Sequence, residues 1–176
     1  LEKIKACSLA IEAFSHAVRA EPLVRLTIVG DGPDAAFVKE TAQRLGVFER
    51  IHWGGRVAKA DIARLLREHD VFMFTSVRDT SGNVLLEGMA AGLPAIVLRQ
   101  HGAAEIATDE TALRIVPTGF HETAAALGEA MVKLARSPDL RSRLGNAGRA
   151  RILDVYTWDR KGEQMDAIYQ AAVRQG

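Results

Sequence analysis

Residues 71–98 read VFMFTSVRDTSGNVLLEGMAAGLPAIVL, and this stretch decides the fold. Val71-Phe72-Met73-Phe74 is a short apolar run of the kind that forms a buried strand. Thr75 to Ser81 is polar and ends at Gly82. Asn83 to Ala91 then carries helical apolar spacing, with Val84, Leu85 and Met89 set among small residues. Gly92 and Pro94 end that helix, and Ala95 to Leu98 is a second apolar strand. A strand that feeds a glycine turn into a helix N-terminus is suited to anions. The first N–H groups of the helix have no partner within it, and the helix dipole favours negative charge there.

Two acids flank the turn. Asp79 precedes the helix and Glu87 lies inside it, with seven residues between them. Helical spacing puts Asn83, Ala90 and Ala91 on the face of Glu87. Gly88, Ala90, Ala91 and Gly92 are small enough to let the helix lie close to a sheet. On spacing alone, Glu87 is equally a solvated helix residue and the turn an ordinary βα connection.

Working outward, the same alternation continues. Lys3–Ala20 has a helical pattern. Val24–Val29 is a strand closed by Gly30-Asp31-Gly32-Pro33. A helix is expected from Asp34 to Leu45, with Gly46 as its cap. Arg50–Trp53 is a strand leading to Gly54-Gly55-Arg56-Val57, and Lys59–Glu68 is a helix with Ile62, Leu65 and Leu66 inward. After Leu98, the loop His101–Glu105 opens a short helix. Ala112–Val116 is the last strand, and helices are expected over His121–Ala135, Leu140–Leu153 and Trp158–Val173. Strands alternating with helices at this spacing give βαβ units, hence an α/β fold with a Rossmann-like parallel sheet flanked by helices. Ligands of such sheets sit beyond the carboxyl ends of the strands. Gly30–Pro33, Arg56-Val57, Asp79–Glu87 and His101–Glu105 are therefore expected to line one crevice.

Composition bounds the function. With 176 residues the chain is one domain, residues 1–176, and its 48% hydrophobic and 26% charged content is that of a globular protein. A net charge of +1 argues against nucleic acid as a partner. The lone cysteine, Cys7, excludes a disulfide framework within the chain, suits a reducing compartment, and reads as a helix packing position. No apolar run approaches transmembrane length. We expect a cytoplasmic protein, which leaves peripheral membrane association of the full-length molecule open. The chain opens without methionine or leader, so a domain of a longer protein is expected.

The run Asp79-x-x-Gly82-Asn83-Val84-x-Leu86-Glu87-Gly88-Met89-Ala90-Ala91-Gly92-Leu93-Pro94 resembles the signature of retaining GT-B-fold glycosyltransferases of the family 4 type. That signature has two acids spaced in this way, glycine three after the first, and an Ala-x-Gly-x-Pro close. Asp79 stands where glutamate is commoner. Leu1-x-x-x-Lys5-Ala6 resembles the family's Arg-Leu-x-x-x-Lys-Gly segment. Lys5 matches the lysine, the arginine would fall just before Leu1, and Ala6 replaces a glycine. Ile28–Pro33 is similar to the family's glycine turn, Tyr156-Thr157-Trp158 to its aromatic-x-Trp element, and Gly102-Ala103 departs from a common glycine pair.

The resemblance implies the C-terminal, donor-binding half of a GT-B enzyme, without its N-terminal acceptor domain. The donor would be a nucleoside diphosphate sugar, with UDP or GDP as the nucleotide and polysaccharide or glycolipid biosynthesis as the setting. It implies Glu87 on the ribose hydroxyls and Asp79 on the transferred sugar. Gly82, Asn83 and Val84 would offer N–H groups to the diphosphate, which Lys5 would neutralise. Arg56 and Val57 would border the base, and Gly30 and Gly32 would form the turn beside it. No Asp-x-Asp motif is present, so neither a metal nor another cofactor is expected. Singly, Lys5, Arg56 and Asp31 read equally well as surface or turn residues, and His101 reads as a loop histidine. A GT-B-fold nucleotide-sugar epimerase and a non-catalytic nucleotide-binding module are the alternative functions.

Overall fold

The computed structural model describes residues 1–78 and 82–175. The alternation read from the sequence is present. Five strands, β1 (Leu26–Val29), β2 (Ile51–Gly55), β3 (Phe72–Phe74), β4 (Ala95–Leu98) and β5 (Ala112–Ile115), are separated by helices. These are α1 (Cys7–Ala20), α2 (Ala35–Arg44), α3 (Lys59–Arg67), α4 (Asn83–Ala90), α5 (His101–Ile106), α6 (Phe120–Arg136), α7 (Pro138–Val155) and α8 (Trp158–Gln175). Short 3-10 turns at Lys3–Lys5 and Phe48–Arg50 complete the described elements.

All strand pairs are parallel, β1 with β2, β3 with β4 and β4 with β5. The strands do not form one sheet, however. They form a pair, β1-β2, and a triplet, β3-β4-β5.

β4 shows how the helices cover both faces. All four of its residues are buried. Ile96 and Leu98 join an apolar cluster with Phe14 and Ile11 of α1, Val38 of α2 and Leu127 and Leu134 of α6. Ala95 and Val97 point the other way, into a cluster with Leu85 and Met89 of α4, Ile106 of α5 and Ile152 of α7. A two-residue side-chain period on a strand buried on both faces gives this result, and it explains the unbroken apolar sequence AIVL.

Glycines set the closest helix contacts. At Gly128 of α6 a β-carbon would stand 2.8 Å from the Ala13 carbonyl oxygen of α1. At Gly145 of α7 it would collide with the Gly92 carbonyl oxygen behind α4, and at Gly88 it would lie 2.6 Å from the Phe72 ring.

Two expectations change. The helical pattern over Lys3–Ala20 is not one helix. Ala6 takes a left-handed backbone (φ 46°, ψ 44°) that separates the 3-10 turn from α1. Along α3, Ile62, Leu65 and Leu66 are only half-buried, and no residue of that helix is fully enclosed. α8 is also loosely seated, with Trp158 92% and Val173 81% exposed. No helix among the described residues is long and apolar enough to cross a membrane.

Candidate functional site

The exit of β3 and the start of α4 are built as the sequence suggested. Gly82 caps α4 in the left-handed region (φ 60°), which a side chain rarely adopts. The Gly82 carbonyl accepts from Leu86 N–H at 3.0 Å, closing the first turn. Gly82 is buried, and a β-carbon there would press into the Ile106 side chain of α5. Asn83 and Val84 follow it, both exposed. The first N–H groups of a helix have no partner within it, and those of α4 begin past the carboxyl end of β3.

Glu87 lies on the exposed side of α4 with Asn83 and Ala90, as helical spacing requires. Among the described residues its carboxylate makes no hydrogen bond or ion pair. The other acid, Asp79, lies outside the described residues, as do Thr80 and Ser81 of the same turn.

Lys5 is brought to this place by backbone contacts that periodicity could not reveal. Thr75, just past β3, donates its hydroxyl to the Lys5 carbonyl at 2.9 Å. Val77 N–H donates to the Ile4 carbonyl at 2.8 Å. Thr75 and Ser76 are both buried, so the exit of β3 is fixed against residues 4–6. The left-handed Ala6 then turns the chain into α1, which accounts for a glycine preference at this position.

The same segment reaches the first sheet. The Leu1 carbonyl accepts from Asp34 N–H at 3.1 Å. The Leu1 backbone fills the space a β-carbon would need at Gly32. Gly32 N–H is also held by Asp31 Oδ1 at 2.8 Å. Gly30 (φ 113°) donates to the Gly55 carbonyl at 2.6 Å, which joins the turn after β1 to the end of β2. Arg56, exposed, and Val57, half-buried, follow directly. The exits of β1 and β3 are thus joined through residues 1–6, and the exit of β2 is joined to that of β1 through Gly30.

After β4 the chain turns sharply. Gln100 N–H donates to the Leu98 carbonyl at 2.8 Å, and His101 then adopts a left-handed backbone (φ 48°). The position that calls for glycine in this loop is therefore 101, ahead of Gly102. Sequence reading pointed instead to Gly102-Ala103. α5 is clamped from behind by α7, since Arg151 donates to the carbonyls of Ile106 at 2.8 Å and Glu105 at 2.9 Å. The Tyr156 hydroxyl also reaches the Glu105 carbonyl, at 3.4 Å. Of the aromatic-x-Trp element, then, Tyr156 is structural while Trp158 stands in solvent. Cys7 is half-buried in the first turn of α1, and burial pushes its thiol above the ordinary value. Among the described residues no group of three or more His, Cys, Asp or Glu side chains could hold a metal ion.

Comparison with known proteins places this architecture. The chain is 30% identical over 176 residues to a phosphatidyl-myo-inositol mannosyltransferase of Mycobacterium leprae, covering 99% of this chain and 45% of that protein. It is 26% identical over 172 residues to an N-acetyl-alpha-D-glucosaminyl L-malate synthase of Bacillus anthracis, covering 98% of this chain and 44% of that one. The chain therefore spans less than half the length of these relatives. The fold matches that of the Anabaena protein HepE, solved in complex with UDP. The TM-score is 0.81 at 21% identity, over 97% of this chain and 46% of that one. A family model described as glycosyl transferases group 1 matches residues 1–151, and with it the crevice residues from Lys5 to Glu87, so the chain belongs to the glycosyl transferases group 1 family.

Proposed function

We propose that this chain is the donor-binding part of a retaining glycosyltransferase and holds a nucleoside diphosphate sugar. One observation carries the reading. The N-terminus of α4 lies past the carboxyl end of β3, with Lys5 held by its backbone to the same strand exit and Glu87 on the exposed surface of the helix. Such a constellation suits a ligand that is anionic at one end and rich in hydroxyls at the other.

The roles follow from chemistry. The N–H groups of Gly82, Asn83 and Val84 stabilise the diphosphate, whose charge grows as it leaves. Lys5 supplies a compact positive charge to the same group. Glu87, being an acceptor with two oxygens, takes hydrogen bonds from the two ribose hydroxyls. Asp79 takes the hydroxyls of the transferred sugar. Arg56 and Val57 border the base, with the Gly30–Gly32 turn beside them. UDP in the Anabaena neighbour supports a nucleotide in this crevice; uracil and guanine both belong in the binding test.

Calorimetry tests the assignment. UDP or GDP binds the wild-type chain. Glu87→Gln exchanges one acceptor oxygen for an NH₂, and one ribose hydroxyl loses its partner. A lost charged hydrogen bond costs about 1.5–3 kcal/mol, roughly ten- to hundred-fold in affinity. Equal affinity of wild type and Glu87→Gln for every nucleoside diphosphate tried would sink the ribose role. Product analysis of the full-length protein separates transfer to an acceptor from epimerisation of the donor sugar, and no turnover at all would point to a binding module.

A further inference from the structure

Two segments far apart in the chain supply the proposed diphosphate site, and one side chain links them. The N-terminus of α4 follows β3, whereas Lys5 ends a 3-10 turn ahead of α1. Thr75, the first residue past β3, is buried. Its hydroxyl donates to the Lys5 carbonyl at 2.9 Å, across 70 residues of sequence, and lies 3.4 Å from the Ala6 carbonyl. A hydroxyl has one hydrogen to give, so the shorter contact is the bond.

That bond acts on the residue that carries the charge. A lysine ammonium ends a flexible four-carbon stem and loses rotamer freedom when a ligand holds it. With the backbone already fixed, the loss is confined to the side chain. Lys5 is the last residue of the 3-10 turn, and Ala6 directly after it takes the left-handed backbone. The chain changes direction at the bonded peptide, so a shift there swings the Lys5 side chain relative to β3. A second link, from Val77 N–H to the Ile4 carbonyl at 2.8 Å, is main chain on both sides. It holds the neighbouring peptide whatever side chain stands at position 75. Loss of the Thr75 hydroxyl therefore loosens Lys5 without releasing the segment.

We propose that Thr75 is a positioning residue for the donor diphosphate. Its hydroxyl holds the Lys5 peptide against the strand that feeds α4, so that the lysine ammonium and the first N–H groups of α4 meet the same phosphates. The proposal rests on the diphosphate role given above to Lys5 and α4. Valine would match the shape of the Thr75 side chain and lacks only the hydrogen bond, so shape and bond can be separated by experiment. The ligand gains because a group ordered before binding costs less to order during it. The gain falls on the phosphates alone, since the base and ribose are assigned to other residues.

A double-mutant cycle over Thr75→Val and Lys5→Ala in the full-length protein tests this by calorimetry. The ligand is UDP or GDP, whichever binds, with the matching nucleoside as control. Thr75→Val weakens the nucleoside diphosphate about three- to tenfold, as loss of one neutral hydrogen bond does, and leaves the nucleoside unchanged. In the Lys5→Ala background the same substitution changes affinity by less than about twofold. Thr75→Ser, which keeps the hydroxyl, keeps wild-type affinity. A structural role alone would weaken nucleoside and diphosphate alike, with or without Lys5, and either result overturns the proposal. So does wild-type affinity in Thr75→Val where Lys5→Ala alone weakens the diphosphate; the phosphate role of Lys5 then stands. If Lys5→Ala has no effect on the diphosphate, Lys5 is not at the phosphates and both assignments fall. Should Thr75→Val not fold, Thr75→Cys, near in size and a weak donor, takes its place in the cycle.

Discussion

At the scale of single residues, two positions hold a backbone that their side chains disfavour. Ala6 and His101 are the two non-glycine residues with positive φ among the described residues. Each sits where the chain leaves the sheet edge for a helix. A left-handed alanine costs about 1–2 kcal/mol, part of which glycine gives back through the greater freedom of its unfolded chain. Ala6→Gly is therefore expected to stabilise the fold by about 0.5–1 kcal/mol, a rise in Tm of roughly 1–4 °C in a thermal melt. No rise would mean that the surrounding contacts relieve the strain. Lys5, one residue earlier, has an electrostatic task in the proposed site. Lys5→Ala is expected to weaken a nucleoside diphosphate more than the matching nucleoside, with added salt narrowing the difference if the site is open to solvent. Equal losses for UDP and uridine would place Lys5 away from the phosphates. Neither strained residue was legible from local pattern alone. Ala6 extends an apparently continuous helical run, and only its resemblance to a glycine position marked it. The strain at His101 was missed because the loop was read at Gly102-Ala103.

At the scale of elements, the strands and helices were legible because their burial is periodic. AIVL is unbroken because both faces of β4 are covered, and α4 was placed by Gly82 at one end and Gly92 at the other. Contacts between elements were less legible, since periodicity says which face is buried and not what lies against it. Gly128 and Gly145 look like weaknesses in α6 and α7, where glycine costs about 0.8–1.0 kcal/mol against alanine. The structure gives their reason in the backbone of Ala13 and Gly92. Backbone neighbours cannot step aside as a flexible side chain can. Gly145→Ala is accordingly expected to destabilise by about 1–3 kcal/mol in chemical denaturation, despite the better helix propensity of alanine. Gly162 in α8 has nothing within 4 Å of its would-be β-carbon. There propensity decides, and Gly162→Ala is expected to stabilise by up to about 1 kcal/mol. The contrast separates packing from propensity: if both alanines act in the same direction, the close approach of α7 to α4 is not what holds Gly145.

At the scale of the whole molecule, the crevice has one wall. The exits of β1 and β3 meet through residues 1–6, with that of β2 bonded to Gly30, yet Asn83, Val84, Glu87 and Arg56 all remain exposed. Sequence reading gathered these residues onto one edge because parallel βαβ topology puts every strand exit of a sheet on one side. It could not show that the strands separate into a pair and a triplet, because pairing is non-local and no single strand carries its partner's identity. The open edge bears on what this chain can do by itself. Transfer of a sugar requires that donor and acceptor be held in reacting geometry and that water be kept from the activated carbon. An exposed edge can satisfy the binding part, through helix N–H groups and a lysine, without the positioning part. The relatives, with more than twice the chain, have material for an opposing wall. The expected outcome is that the purified 176-residue chain binds UDP or GDP in calorimetry and transfers no sugar from the matching nucleotide sugar, while the full-length protein does transfer. Asp79→Asn in the full-length protein should then reduce transfer and leave the affinity for the bare nucleoside diphosphate nearly unchanged, whereas Glu87→Gln should lower affinity for nucleotide and nucleotide sugar together. Robust transfer by the 176-residue chain would mean that one wall suffices, and equal weakening of the bare nucleotide by both substitutions would remove the division between the two acids.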